Sequence, residues 1–451
     1  MTSVVSTLRD SFTPLRFPNF RIYLSGQAVS LIGTWLQVTA QAWLVWTLTG
    51  SEAASGIVAM LGALPFLLFG PWAGVLAERV DRRKLLIATQ LAAMILAFVL
   101  AILVQTKTVQ IWHVFPPWSK PFNDTNWGLK VSVVQIWHVY ILSFLLGTVN
   151  ALDVPTQQTF LGDLSGTSEM RKAVNLNAMI LQVSRMVGPA IAGLVIARIG
   201  IAPSFWVNGV SFLAVVASLV ALRSKQVRSK QKDVRPMRDL AEALRYLRTQ
   251  PRIQDLFIFS TLTVFLVLSV LGSQLPAVAD KLLGGNAATL GALQAASGAG
   301  ALIAVVFIMP IFQGLRRSGI ALGFASVWMG CWLLVFSTSR VLLLSELALF
   351  FGSMGAPTVI ASSLGLVQFM TPNEMRARVL SLFTMISFGL QAFAVLIVGF
   401  LAQRLGVATA IEINGLVLIS AAIIMLTFRT EFRRWEMMRA PTASPVVTEL
   451  I

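Results

Sequence analysis

The sequence predicts an all-helical membrane protein whose twelve transmembrane helices form two pseudo-symmetric six-helix bundles. The first observation is composition, since 56% of the 451 residues are hydrophobic and only 12% are charged. The second is a series of apolar runs, each long enough to cross the roughly 30 Å hydrocarbon layer as a helix. The third is an internal repeat, which predicts that the two halves of the chain share one architecture.

The repeat is clearest between Leu142 and Gly209, which recurs 205 residues later. That shift lays Glu169-Met-Arg171 on Glu374-Met-Arg376, and after one inserted residue Gly193 falls on Gly399. Each copy holds three apolar runs, so the repeat is expected to relate two halves of a membrane protein.

Twelve spans follow in order from hydropathy alone. Their predicted positions are 20–48, 53–77, 84–106, 136–161, 173–197, 203–223, 254–279, 288–312, 318–338, 341–369, 377–402 and 407–428.

The distribution of positive charge predicts the orientation of these spans. Of the 35 Lys and Arg residues, 27 lie in the termini and even-numbered loops, and seven lie in the odd-numbered loops. This bias places both termini in the cytoplasm, here of a bacterial inner membrane. The net charge of +16 is therefore attributed to topology, and nucleic acid is excluded as a partner because no soluble module gathers the charge. The single cysteine, Cys331, excludes a disulfide framework.

The predicted domains are a first bundle over 1–223, a basic cytoplasmic linker over 224–252, a second bundle over 253–430 and a tail over 431–451. The linker is expected to hold a short amphipathic helix near 240–246. An external loop near 107–135 is enlarged by a tandem copy of Gln-Ile-Trp-His-Val. The two histidines in these copies, His113 and His138, have no acidic cluster nearby and make a poor metal site, so no metal is expected.

A charged motif lies between the second and third spans. This motif resembles the loop signature of the major facilitator superfamily, in which a glycine precedes an acid–arginine pair and a basic cluster. The resemblance implies a charge latch on the cytoplasmic side, next to the start of the eleventh span. The residues that would form this cytoplasmic gate are Gly74, Glu78, Arg79, Asp81, Arg82, Glu374 and Arg376.

The fifth span carries Gly188-Pro189, followed by Gly193. This pattern looks like the Gly-Pro signature of exporters in the same superfamily. Pro189 cannot donate a backbone hydrogen bond and is expected to bend the helix, while the two glycines permit close packing.

Two further patterns are similar to the bacterial efflux branch that includes enterobactin exporters. They are Gly33-Thr-Trp35 in the first span and Asp153-Val-Pro155 in the fourth span. The resemblance covers nearly the whole chain and implies export of a siderophore or a drug.

Polar residues recur every three to four positions in the first and fifth spans, so each span has a polar face. Such a face should line a water-filled cavity or hydrogen-bond to another helix. The predicted substrate-binding residues are Trp35, Gln37, Gln41, Asn150, Gln182, Arg185, Phe388 and Gln391.

Two charges are predicted deep in the membrane. Asp153 and Arg185 each lie some ten to twelve residues from the inner ends of their spans, about 15–18 Å deep. Isolated charges are costly there, so the two side chains are expected to lie within reach of each other. They would form either a permanent ion pair or a proton and charge relay in which Arg185 holds an anionic group of the substrate. The second copy of the repeat has Thr358 and Gln391 at these positions.

The predicted function is secondary active export of a hydrophobic or amphipathic small molecule by alternating access, coupled to protons. No cofactor, no catalytic constellation and no phosphate-binding loop is found in the sequence, so the protein is expected to be a monomeric transporter in the lipid bilayer and not an enzyme. The alternatives are uptake of a nutrient, movement of a lipid, or a receptor that binds without transporting.

Overall fold

The protein is described here by a computed structural model. The described residues are 12–106, 109–111, 129–131, 134–166, 169–222, 236–309 and 318–428, apart from some side chains within these ranges. Twelve helices in this part of the chain are long and apolar enough to cross a membrane. The predicted number of spans is therefore confirmed.

The first half contains six long helices and one short two-stranded ribbon. A 3-10 helix, Thr13–Arg16, precedes them. The elements are α1 (Pro18–Thr49), α2 (Glu52–Arg79), α3 (Arg82–Gln105), the antiparallel strands β1 (Val109–Ile111) and β2 (Leu129–Val131), α4 (Ile136–Ser165), α5 (Met170–Ile199) and α6 (Ala202–Ala221). The ribbon lies in the enlarged loop and was not predicted; most of that loop, including His113, is outside the described residues.

The second half begins with a short linker helix and continues with six spans, several of them interrupted. They are α7 (Pro236–Arg248), α8 (Pro251–Thr263 and Ser269–Ser273, joined by the π-turn Val264–Leu268), α9 (Ala287–Ile303, extended by the π-turn Ala304–Ile308), α10 (Ser318–Thr338), α11 (Leu342–Ser353 and Gly355–Met370), α12 (Asn373–Gly389 and Gln391–Leu405) and α13 (Val407–Phe428). Two short turns, Leu275–Ala277 and Val278–Leu282, lie between α8 and α9.

Four of the loops between consecutive helices contain a glycine and lie at one end of the molecule, opposite the two termini. Each of these glycines has a positive φ, which side chains rarely tolerate, so the chain can turn sharply there. They are Gly50, Gly200, Gly284 and Gly406. We call this the distal end, which the charge distribution predicts to face outside, and the other the proximal end.

Helix packing divides the spans into two bundles. In the first, α2 packs on α4, and α6 packs on both α1 and α3; in the second, α10 packs on α13 and α9 on α11. The bundles meet chiefly through two helix pairs, α5 with α9 and α2 with α12. These two pairs form the seam between the bundles, and the internal repeat relates one pair to the other.

The linker helix α7 is attached to the proximal end of the second bundle. Its residue Ala243 is fully buried, and Arg378 at the start of α12 forms ion pairs with Asp239 (2.8 Å) and Glu242 (2.6 Å). The predicted amphipathic helix near 240–246 is therefore present, and its carboxylates face the second bundle.

Candidate functional site

Glycines allow close approach of backbones at the distal half of the seam. A Cβ atom on Gly193 of α5 would lie 2.9 Å from the carbonyl oxygen of Ala287 in α9. A Cβ atom on Gly399 of α12 would lie 2.9 Å from the carbonyl oxygen of Glu52 in α2. Gly193 and Gly399 are equivalent in the sequence repeat, so the two contacts are related by the pseudo-symmetry of the bundles.

An ion pair between an exposed lysine and a buried glutamate joins the two bundles at the distal end. The Lys281 ammonium lies 2.7 Å from a carboxylate oxygen of Glu52, whose side chain is only 2% exposed. Lys281 also lies 5.2 Å from the centre of the Trp46 ring. The Trp46 indole nitrogen donates a hydrogen bond to Asp280 (3.0 Å). Charge and aromatic contacts therefore tie α1 and α2 to the segment between α8 and α9.

Further hydrogen bonds continue the seam toward mid-depth. The Ser51 hydroxyl donates to the Gln403 amide oxygen (2.9 Å), and the Thr39 hydroxyl donates to that of Gln294. These cross-bundle bonds between described residues lie in the distal half of the helices. The distal end is thus closed in this structure.

Arg185 lies near the middle of α5, on the part of that helix that packs against α9. A Cβ atom on Gly298 would lie 2.8 Å from the backbone carbonyl of Arg185, so the two helices almost touch. The guanidinium carbon lies 5.5 Å from the centre of the Trp35 ring, which is a cation–π contact. Among the described residues, no carboxylate pairs with Arg185. Its five N–H donors therefore remain able to bind an anionic group.

Asp153 lies inside the first bundle and is 7% exposed. Its Oδ1 atom accepts hydrogen bonds from the Thr89 hydroxyl (2.5 Å) and from the Gln90 amide (3.0 Å), both on α3. Its Oδ2 atom accepts a longer bond from Gln157 (3.4 Å), one turn along α4.

The predicted contact between Asp153 and Arg185 is wrong, because no ion pair joins them in the described structure. Both residues have the expected depth along their helices, but their side chains have different surroundings. Asp153 points toward α3, whereas Arg185 points toward Trp35 of α1. The cost of burying each charge is offset by polar hydrogen bonds at Asp153 and by an aromatic ring at Arg185.

The other predicted substrate-binding residues divide into two groups. Gln37 is 4% exposed and accepts a hydrogen bond from Asn208 of α6 (2.7 Å), and Gln41 donates to Ser143 of α4 (2.8 Å). These amides therefore connect helices of the first bundle. They follow the second of the two alternatives for the polar face, hydrogen bonding to another helix. The remaining described candidates are all partly exposed: Trp35, Asn150, Gln182, Arg185 and Gln391. The Phe388 side chain lies outside the described part of the structure.

The predicted cytoplasmic gate is described only in part. Asp81 caps the start of α3 by accepting a hydrogen bond from the Lys84 backbone (3.1 Å). Arg82 pairs with Asp163 at the end of α4 (2.7 Å). This pair lies within the first bundle, and the charge latch next to the start of the eleventh span stays a prediction.

The remaining residues of the predicted gate lie at the start of α12 and toward the end of α2. Glu374 and Arg376 are exposed near the start of α12. The surroundings of Gly74 and the side chains of Glu78 and Arg79, toward the end of α2, lie outside the described part of the structure.

The Gly-Pro pair of α5 lies against α1. A Cβ atom on Gly188 would lie 2.6 Å from the Cβ of Trp35, so the glycine permits the contact that brings Trp35 beside Arg185. Pro189 lies inside the continuous helix Met170–Ile199.

Sequence reasoning missed the distal cluster of Trp46, Glu52, Asp280 and Lys281. Its signal was weak: Lys281 is one of the few basic residues expected outside, and Glu52 directly follows the cap of α2. Among the described residues, no three or more His, Cys, Asp or Glu side chains come together in a group that could hold a metal ion.

A second charged cluster lies at the proximal end, around the repeated Glu-Met-Arg motif. Glu169 is 3.1 Å from the Lys172 ammonium, and the Thr13 hydroxyl donates to it (3.0 Å). The hydrogen bond from Lys172 is the main cause that lowers the pKa of Glu169, followed by the bond from Thr13. The cluster therefore fixes the start of α5 to the segment before α1.

Solved structures share this architecture. The D-xylose–proton symporter aligns with a TM-score of 0.65 at 16% identity, covering 93% of this chain and 99% of that one. A variant of the peptide transporter POT aligns with a TM-score of 0.70 at 14% identity, covering 93% and 96%. At these identities the likeness shows the fold alone, which is that of a major facilitator transporter.

The family follows from the sequence match. A family described as "Transmembrane secretion effector" matches residues 9–116 and 128–449, so the chain belongs to this transporter family of the major facilitator superfamily. The protein is therefore a multi-pass membrane transporter and not an enzyme.

Its curated relatives are distant. It is 23% identical to the staphyloferrin A transporter of Staphylococcus aureus over 65% of this chain and 67% of that protein. It is 23% identical to macrolide efflux protein A of Streptococcus pyogenes, over 54% and 55%, and 25% identical to the multidrug efflux pump Tap of Mycolicibacterium fortuitum, over 50% and 51%. The chain thus spans about half to two thirds of the length of these relatives.

Proposed function

We propose that the protein exports an amphipathic small molecule that carries an anionic group, such as a carboxylate siderophore, by alternating access. The observation that carries the proposal is the Arg185 guanidinium, held at mid-depth over Trp35 without a carboxylate partner among the described residues. A permanent structural arginine in the membrane would be expected to have an acidic partner, whereas a binding arginine keeps its donors for the ligand.

The partly exposed residues among the predicted substrate contacts suit an amphipathic ligand. Trp35 offers an aromatic face, and Asn150, Gln182 and Gln391 offer partly exposed amides. Charge-assisted hydrogen bonds to Arg185 would orient the anionic group, and the ring of Trp35 would contact an apolar portion. The relatives named for a siderophore and for drugs support export of such molecules.

Alternating access would use the seam. In the present arrangement the bundles are joined at the distal end through the glycine contacts and the Glu52–Lys281 pair. Separation of these contacts would open the site toward the distal side. We propose further that protons drive export, with Asp153 as the group that exchanges the proton. Since Asp153 and Arg185 do not pair, this coupling would act through movement of the helices and not through direct competition.

Flux measurements in proteoliposomes test the proposal. We expect Arg185→Ala to abolish export of carboxylate siderophores while the protein still inserts, because a charge-assisted bond is worth about 1.5–3 kcal/mol per contact. Arg340→Ala is the matched control, since among the described residues Arg340 bonds to the Ser337 and Ser339 carbonyls of its own turn. Normal siderophore flux in Arg185→Ala would remove this arginine from the mechanism.

Direction and coupling need separate measurements. Counterflow in inverted and right-side-out vesicles distinguishes export from nutrient uptake or lipid movement. Flux measured under an imposed pH gradient tests whether protons drive transport. Substrate binding without flux would instead indicate a receptor.

A further inference from the structure

The linker helix α7 is fixed to the proximal ends of the spans at two points. At its end, the Gln254 amide of α8 donates hydrogen bonds to the carbonyls of Leu247 (2.9 Å) and Arg248 (3.0 Å). Near its beginning, Asp239 pairs with Arg378 in the second turn of α12 (2.8 Å). Because the spans of α8 and α12 both begin at this end, α7 lies along the membrane surface, at the depth of the lipid headgroups.

The apolar and acidic side chains of α7 face the protein. Ala243 is fully buried, and its neighbours on that side pack against the core of the second bundle. The two carboxylates of the helix, those of Asp239 and Glu242, both bind Arg378. The negative charge of α7 is therefore compensated within the protein.

The outward face of α7 carries three exposed arginines, Arg238, Arg245 and Arg248. Their spacing of seven and three residues places them on one side of the helix, away from Ala243. Arg238 pairs with Glu242 (3.0 Å), but exposed pairs of this kind are weak. Neither Arg245 nor Arg248 forms an ion pair or a side-chain hydrogen bond within the described part of the chain. Their donors are therefore able to bind an anion.

An exposed leucine on the same face indicates which kind of anion would fit. Leu244 precedes Arg248 by one turn and is 40% exposed. A soluble anion would use the arginines and leave this leucine in water. A lipid uses both, because its phosphate accepts hydrogen bonds from arginine and its acyl chain contacts an apolar side chain.

We infer that the outward face of α7, formed by Arg238, Leu244, Arg245 and Arg248, is a binding site for the headgroup of an anionic phospholipid. The charge distribution predicts that this end of the molecule is cytoplasmic, and basic residues beside a span attract anionic lipids of that leaflet. The site lies outside the bundles and is separate from Arg185. Binding of the lipid does not depend on the proposed export function.

The test is titration of phosphatidylglycerol into the purified full-length protein in neutral detergent micelles. An environment-sensitive fluorophore on Ala241→Cys reports from the same exposed face, in a Cys331→Ser background that removes the native thiol. We expect a saturable change in fluorescence with phosphatidylglycerol and a much smaller one with phosphatidylcholine at the same mole fraction.

Variants locate the site. Arg245→Gln with Arg248→Gln should raise the half-saturating mole fraction of phosphatidylglycerol by about 30-fold, since each basic residue at an anionic surface contributes about 1 kcal/mol. Arg340→Gln with Arg404→Gln is the matched control, because it removes two exposed arginines from the distal end. The control should bind as the unmodified protein does. All four side chains are exposed, so the folded state should persist in both variants.

Three results would overturn the inference. The first is an equal response to phosphatidylcholine, which would show that the negative charge is not recognised. The second is an equal loss of binding in the two double variants, which would indicate a general effect of net charge. The third is saturation by glycerophosphoglycerol, the same headgroup without acyl chains, at the same concentration as the lipid, which would indicate a site for a soluble anion. None of these results would affect the proposed export function, which flux measurements test.

Discussion

The Glu52–Lys281 pair should control how readily the distal seam opens. Lys281→Met leaves the Glu52 carboxylate buried without a cation. Breaking a fully buried pair costs about 3–5 kcal/mol, but Lys281 is 46% exposed, and exposed pairs contribute only about 0–1 kcal/mol. We therefore expect the distally closed arrangement to lose about 1–2 kcal/mol relative to the open one, which is roughly a 5- to 30-fold change in their ratio.

Distances between spin labels measure this ratio. Labels are attached through Thr47→Cys on α1 and Arg404→Cys on α12, in a Cys331→Ser background that removes the exposed native thiol. The distance distribution across the distal end, from double electron–electron resonance, should gain a longer component in Lys281→Met.

Two comparisons separate the ion pair from a general loss of charge. Lys281→Arg retains the positive charge and should restore the short distance. Arg340→Met removes a basic residue whose bonds in the described structure go to carbonyls of its own turn, so it should leave the distribution unchanged. A distribution in Lys281→Met that matches the one in Arg340→Met would refute the assignment of Glu52 and Lys281 to closure.

Two further predictions concern the packing of the seam and the effect of acid. Gly193→Ala would place a methyl group 2.9 Å from the Ala287 carbonyl oxygen and should therefore reduce flux. Gly62→Ala is the control, because its methyl group meets no atom within 4 Å, and it should raise the unfolding temperature through helix propensity. Equal flux in the two variants would contradict the role of Gly193 in the seam. Because the pKa of Glu169 is lowered chiefly by Lys172, its stabilising contribution is complete above its ordinary value of 4.5 and is lost as the pH falls through the lowered pKa. The difference in unfolding temperature between the unmodified protein and Glu169→Gln should therefore shrink between pH 6 and pH 3, and a constant difference would reject the linkage.

The membrane fold could be predicted from the sequence because hydropathy directly reports which segments cross a bilayer. All twelve spans occur, and several ends agree closely, as for 407–428, which is α13. The repeat also placed Gly193 and Gly399 at equivalent positions, and both lie in the seam. Interruptions such as the π-turn Val264–Leu268 were not predicted, since they depend on packing that a hydropathy average does not contain.

The site was less predictable because the sequence gives depth along a helix but not the neighbour that a side chain faces. Asp153 and Arg185 have suitable depths, yet one faces α3 and the other faces Trp35. The periodicity of Gln37 and Gln41 identified a polar face correctly, but periodicity cannot distinguish a cavity from Asn208 or another helix. Contacts such as Glu52–Lys281 join residues that are 229 positions apart, and no local pattern reports such a pair.

Comparison of the two repeats therefore distinguishes the packing of the seam, which both halves share, from the deep charges, which the first half carries. The glycine contacts of the seam occur in both halves, so a rocking motion about the seam has the same backbone packing on each side. The two deep charges of the first half have no charged counterpart at the equivalent positions, because Asp153 and Arg185 correspond to Thr358 and Gln391. Thr358 is 1% exposed and donates to a carbonyl of its own helix, so the position equivalent to Asp153 carries no carboxylate. In the proposed function, the charged groups that would bind the proton and the anion therefore lie in the first bundle, and the second bundle would contribute to coupling by moving against it along the seam.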